Sequence, residues 1–209
     1  MKLVIISPTA RKDSELPHLL NMFEQGLPTY HLRKTNFSTR ELKNFIAEIP
    51  KKYHKRIVIH THHELAAKFN LKGIYISSFH KKRKTELWLR MKWLKFRREN
   101  LQVSGTFKSI EAILEHNPKY DYIFLSPVFD SSSGNFQAGF SKDNLRRALK
   151  NSKYKVIARG GIAVNTLQKA HELGFAGVAF YSQIWKTKNP LQEFLKVKAK
   201  FNELKIPME

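Results

Sequence analysis

The sequence predicts an α/β fold, a single (β/α)8 TIM barrel spanning residues 1–209. Three observations lead there. Short apolar runs of strand length alternate regularly with helix-like stretches, without a linker, low-complexity segment or domain break. Each run is continuously apolar, as expected for strands covered on both faces in a parallel sheet. Eight strand–helix pairs in this length give about 25 residues per unit, slightly compact for such a barrel. The rival, an open doubly wound sheet, lacks its usual G-x-G-x-x-G turn after the first strand.

In order, strands are expected at Leu3–Ser7, Thr29–Arg33, Arg56–His60, Gly73–Ser77, Gln102–Thr106, Tyr122–Leu125, Lys155–Ala158 and Gly177–Tyr181. Helices are expected at Ser14–Gln25, Thr39–Ile49, His63–Phe69, Lys84–Arg98, Ser109–Glu115, Lys142–Lys150, Val164–Leu173 and Leu191–Leu204. In the basic segment Lys81–Arg98, Leu87, Met91 and Leu94 form one helical stripe with Trp88 beside them. That pattern fits an amphipathic barrel helix, with Trp88 and Trp93 in the core or at an interface. The most informative stretch is Val156–Trp185. A strand ends at Gly160-Gly161, Leu167, Ala170 and Leu173 recur at helical spacing, Gly174 offers a C-cap, and Gly177–Phe180 is the next strand. A glycine loop feeding a helix at the last two strands is the anion-binding arrangement of many phosphate-binding barrels.

Composition narrows the function classes. With no cysteine, disulfides, thiolate metal sites and cysteine nucleophiles are excluded. Neither a secretory signal nor a long apolar span is evident, so a cytoplasmic protein without a membrane partner is the expectation. The net charge of +21 attracts phosphate-rich partners. RNA-module signatures and zinc-finger spacings are absent, which favours small phosphorylated molecules over nucleic acid. A homodimer packed through the tryptophans is a further possibility.

Parallel barrels do their chemistry at the C-terminal ends of the strands. That rule selects His31–Lys34, His60–Glu64, Ser77–His80, Thr106–Lys108, Ser126–Ser133, Arg159–Gly161 and Ser182-Gln183. Cations, hydroxyls and glycine dominate this rim, and its carboxylates are Glu64 and Asp130 alone. Such a rim suits phosphate esters better than hydrolysis by paired carboxylates.

These residues resemble the thiamine phosphate synthase family and the related thiazole tautomerases. The resemblance runs through TYHLRK at 29–34, RIVIHTHHELAAKFNLKGIYIS at 56–77, SGTFKSIEA at 104–112, YDYIFLSPVFDSSS at 120–133, VIARGGI at 156–162 and GVAFYSQI at 177–184. It implies a transferase of thiamine biosynthesis that couples a hydroxymethylpyrimidine diphosphate to a thiazole phosphate, releasing diphosphate. It implies Mg2+ and no organic cofactor. By position, Arg33 matches the diphosphate-contacting arginine, and Ser131 and Ser133 match two threonines of the phosphate loop. Lys34 and Thr106 lie near the diphosphate, and Gly161, with Gly160, and Ser182 lie where the family grips the thiazole phosphate. His31 stands where a glutamine faces the pyrimidine, and His60 joins it as a candidate substrate contact.

The chain also departs from the family. Thr61 and His80 replace the two metal-binding aspartates, Gly134 and Thr35 replace two lysines, and Pro127 stands where the tautomerases carry a histidine. Mg2+ prefers hard oxygen ligands, so these exchanges argue against ordinary Mg2+ binding, and His80 is left as the candidate metal ligand. A tautomerase-like isomerase and a catalytically silent barrel that binds a phosphorylated metabolite are therefore the alternatives.

Overall fold

The computed structural model of the protein describes residues 1–115, 119–130, 135–136 and 140–209. Eight parallel strands close into a barrel in chain order: β1 Lys2–Ile6, β2 Thr29–Leu32, β3 Ile57–Ile59, β4 Gly73–Ile76, β5 Gln102–Phe107, β6 Tyr122–Leu125, β7 Lys155–Arg159 and β8 Gly177–Phe180. The ring shuts where β1 pairs with β8, Val4 lying beside Ala179 and Ile5 beside Phe180. The TIM-barrel expectation is met.

Helices pack outside the strands: α1 Glu15–Glu24, α2 Thr39–Ala47, α3 Glu64–Lys68, α4 Ser78–Lys82, α5 Lys84–Arg97, α6 Ile110–Leu114, α7 Lys142–Asn151, α8 Val164–Leu173, α9 Ser182–Trp185 and α10 Pro190–Glu203. The helix starts follow local chemistry. Ser38 accepts from the Glu41 N–H while the Glu41 carboxylate accepts from the Ser38 N–H, a capping box that opens α2. Pro190 sits in the first turn of α10, where a missing N–H costs nothing. Gly174 ends α8 at φ +95°, a left-handed cap open to glycine.

The two-residue period of the strands sorts the core into two layers. Leu3, Ile5, Ile123, Leu125, Val178 and Phe180 face the helices and join the large core cluster. Val4, Ile6, Tyr122, Phe124, Ile157 and Ala179, with Tyr75 against them, fill the barrel itself. His31 is fully buried in this inner layer, its ring 5.1 Å from that of Phe124.

Two short helices, α4 and α9, appear where the sequence suggested only loops. The third strand is shorter than expected because Lys51–Arg56 forms a 3-10 turn that consumes its start. Trp88 differs more. Leu87 and Leu94 are buried as expected, but Trp88 and Trp93 turn outward, 60% and 44% exposed.

Candidate active site at the barrel mouth

Because every strand runs in one direction around a closed ring, all eight C-terminal ends open on the same face. A cavity of about 720 Å³ lies there, lined by Arg33, His60, Thr61, Tyr75, His80, Arg90 and Arg159 among others. A larger groove of about 840 Å³ runs outside the barrel beside α5, between Leu87, Trp88, Phe107 and Tyr120. We place the chemistry in the smaller one, because strand-end polar groups converge there.

Arg33 and Arg159 are the charged centre of the mouth. Neither they nor Arg90 forms an ion pair with a carboxylate among the described residues. The one carboxylate of the lining, Glu64, lies 3.8 Å from His62 Nδ1. Arg159 is held in place: its guanidinium donates to Thr106 Oγ1 at 3.4 Å, which also accepts from the Tyr75 hydroxyl at 2.9 Å. Burial, and then the like charge of Arg33, push the Arg159 pKa down against the favourable influence of Tyr75. Two guanidiniums that repel one another in a partly dry cavity form a receptor for an anion. Thr106, near the end of β5, is thus the post that holds Arg159.

The inner layer continues beneath. The His60 ring stacks on Tyr75 with centroids 4.1 Å apart. Its Nε2 lies 3.0 Å from His31 Nδ1, and His31 Nε2 lies 2.7 Å from the Tyr122 hydroxyl. Burial holds both imidazoles well below the usual histidine range; Arg159 adds to this at both, and His31 and Arg33 add to it at His60. They are neutral at pH 7. His60 reaches the cavity, whereas His31 is closed off from solvent beneath it.

Lys34 departs from the expectation of a phosphate contact. Its side chain is buried, and its ammonium donates to Glu15 Oε2 at 2.5 Å and to the carbonyls of Pro8 and Ala10 at 2.9 Å each. Glu15 also accepts from the Tyr30 hydroxyl at 2.9 Å. The three donors of Lys34 are thus engaged behind β2, away from Arg33.

At β7 the backbone turns with φ +86° at Gly160 and +65° at Gly161. A Cβ on Gly161 would fall 2.3 Å from the Phe129 carbonyl oxygen, and one on Gly160 would fall 2.8 Å from Pro127 Cα. The β6 loop is bonded directly onto this turn, the Val128 and Phe129 N–H groups donating to the carbonyls of Arg159 and Gly160. Only glycine fits at either position. Since Arg159 pairs with Ala179, the chain after β7 and Ser182 at the start of α9 are neighbours on the rim. Ser182 is exposed. Ser131 and Ser133 lie outside the described residues.

The described residues around the cavity do not fit Mg2+. Thr61 donates to the Lys34 carbonyl, His62 engages Thr39 and the Phe37 carbonyl, and His80 Nδ1 sits 3.0 Å from Ser77 Oγ. Among the described residues no three of His, Asp or Glu converge on one point. Imidazoles and a hydroxyl already bonded within the protein are poor substitutes for free carboxylate oxygens. Nor does His80 find partners for a metal site; its ring packs 4.4 Å from that of His63, the pKa of which burial, helped by His80 and Arg90, lowers to about 3.

Comparison with known proteins bears on this geometry. The profile of the thiamine monophosphate synthase family matches residues 3–184. The chain belongs to that family. It is similar to the crystal structure of a thiamine phosphate pyrophosphorylase from Bacteroides thetaiotaomicron, with 26% identity, a TM-score of 0.77, and 97% of this chain and 98% of that one covered. A thiamine phosphate pyrophosphorylase from Pyrococcus furiosus shares the fold at 19% identity and a TM-score of 0.74, with 97% and 96% covered. So does 3-hexulose-6-phosphate synthase from Salmonella typhimurium, at 19% identity and a TM-score of 0.66, with 97% and 99% covered. No curated protein matches the chain in sequence.

The strand-end rule selected Arg159 without giving it a role, and Tyr75, within β4, was not singled out. Both were legible in principle. Arg159 is in phase with Ile157, which fills the barrel, so at the strand end it points inward.

Proposed function

We propose that this protein is a thiamine phosphate synthase-like transferase that joins a hydroxymethylpyrimidine diphosphate to a thiazole phosphate. Family membership supports a place in thiamine biosynthesis. The observation that carries the reading is the pair Arg33 and Arg159, sharing one cavity without a carboxylate partner among the described residues. In this reaction the bond from the pyrimidine methylene carbon to the diphosphate oxygen breaks, and its electron pair leaves with the diphosphate. The thiazole ring nitrogen then gives its lone pair to that carbon, and no proton has to be removed from the nitrogen. The catalytic need is thus charge stabilisation of the leaving group more than general base catalysis.

Arg33 and Arg159 supply that charge, with Thr106 and Tyr75 fixing Arg159. Neutral His60, stacked on Tyr75, offers an uncharged wall that does not compete for the diphosphate. Gly160-Gly161 and Ser182 receive the thiazole phosphate on the adjoining part of the rim. Each task falls to the chain itself, and none is routed through a metal.

The test supplies both phosphorylated heterocycles, with and without divalent cations, and measures thiamine phosphate. Turnover that Arg33→Ala lowers by roughly 100-fold supports the reading. No product above background under any metal condition removes it. A second reading, a barrel that binds phosphorylated metabolites without turnover, is favoured by the misfit to Mg2+ described above. Calorimetric binding of diphosphate that Arg33→Ala abolishes, with no turnover, would select it. Conversion of the thiazole substrate supplied alone would point instead to a tautomerase.

A further inference from the structure

Helix α5 carries two opposed faces. Its inner stripe, Leu87 and Leu94 with half-buried Met91, packs on the barrel. At 100° per residue, Trp88, Leu89, Trp93 and Phe96 fall within an outward arc of roughly 140°. They are 60%, 55%, 44% and 87% exposed. Phe79 on α4, 58% exposed, lies apart from this stripe, under Arg83 at 4.7 Å and on the cavity side. A soluble monomer rarely displays so many large apolar side chains along one ridge.

The charges are arranged around this stripe. Lys84 and Lys95 border it on one side and Arg97 on the other, while Lys92 rises from its middle, 5.4 Å over the Trp88 ring. Between residues 81 and 98 there are nine Lys and Arg against a single acid, Glu86, which pairs with Arg83 at 3.3 Å. The partner must therefore be both apolar and anionic. A second copy of this chain would bring the same four cations of the stripe, Lys84, Lys92, Lys95 and Arg97, against them. A nucleic acid would track the basic groove beside α5, which Trp88 lines but Leu89, Trp93 and Phe96 do not. A lipid surface needs no groove. Its acyl region accepts Trp, Phe and Leu, and its headgroups meet lysines and arginines at the borders of the stripe.

The geometry points to α5 as an interfacial helix that docks the barrel on an anionic lipid bilayer. Trp88, Leu89, Trp93 and Phe96 enter the headgroup–acyl boundary, and Lys84, Lys92, Lys95 and Arg97 meet the anionic headgroups. This amends the expectation of no membrane partner, which rested on the lack of a spanning segment; no helix of the described residues is long and apolar enough to cross a membrane. The inference is independent of the reaction assigned to the mouth.

The experiment uses the full chain and vesicles of phosphatidylcholine, with or without an equal share of phosphatidylglycerol. Sedimentation measures partitioning. Tryptophan emission, with brominated acyl chains as quenchers, reports insertion. Of the three tryptophans, Trp185 is 5% exposed and stays silent, so a blue shift and quenching report Trp88 and Trp93. Expected are binding to the anionic vesicles, little to phosphatidylcholine alone, and quenching in the bound state. The Trp93→Ser, Phe96→Ser double variant should retain its thermal melt and partition roughly 30-fold less. Binding without quenching, which is mere adsorption by charge, overturns the inference. So does a lipid-free dimer in which Trp88 and Trp93 are already blue-shifted, or a single-stranded oligonucleotide that binds more tightly than the vesicles and needs Trp93 and Phe96.

Discussion

Arg33 and Lys34 are neighbours in sequence, yet they serve two unlike regions. Arg33 points into the mouth, where it shares a cavity with Arg159 and no carboxylate answers it among the described residues. Lys34 points behind β2 into a closed nook, where Glu15 and two carbonyls take up its ammonium. The difference comes from the pleat, which sends successive side chains of an extended segment to opposite faces. A cation left unanswered in a cavity is available to a ligand; a cation answered in the interior serves the fold.

The largest effect should come from opening the closed region. Glu15→Ala leaves the Lys34 charge buried without its partner, at a cost of about 3–5 kcal/mol in urea unfolding. A loss below about 1 kcal/mol would mean that Lys34 turns to solvent or to the mouth, and the contrast would fail.

Next comes the rigid side of the mouth. Gly161→Ala places a methyl against the Phe129 carbonyl at a positive φ, and about 2–4 kcal/mol of stability should go. A crystal structure of the variant with the β7 turn unmoved would contradict that account.

Arg159→Ala sharpens the contrast from the open side. Diphosphate affinity by calorimetry should fall about 30- to 100-fold, equivalent to about 2–3 kcal/mol. The melting temperature should hold or rise, since the variant relieves repulsion with Arg33. A marked fall in melting temperature with unchanged affinity would make Arg159 a structural residue.

Acid should act more gently on the interior. His31, His60 and His63 have folded-state pKa values depressed by burial, so their neutral forms favour the fold above the unfolded value near 6.5. As pH falls below that value the unfolded chain takes up protons that the folded chain refuses. Stability should decline by up to about 1.4 kcal/mol per pH unit for each histidine. For His63 the decline runs down to about pH 3. Denaturant titrations of His63→Gln against the unaltered protein should isolate its share.

The barrel was legible because buried parallel strands leave unbroken apolar runs, and all eight appear within a residue or two of where those runs lie. The mouth was legible through the strand-end rule, which selected Arg33, His60, Thr106 and Gly161. Lys34 was misjudged because its partner Glu15 lies nineteen positions earlier, on a helix with no local sign of the pairing. His31 was half read: it belongs to the barrel, but its bond to Tyr122 spans 91 positions and is a product of closure. For Trp88 the sequence left core and interface open, because helical phase places it beside Leu87, and the packed barrel excludes the core.

Arg90 belongs to the same fourteen-residue helix whose outer stripe carries Trp88 and Phe96, and it reaches the rim of the cavity. One stiff rod, about 21 Å long, thus touches both the opening and the outside. Whatever seats the outer stripe differently when the opening is filled must, by reciprocity, change how tightly the opening is filled.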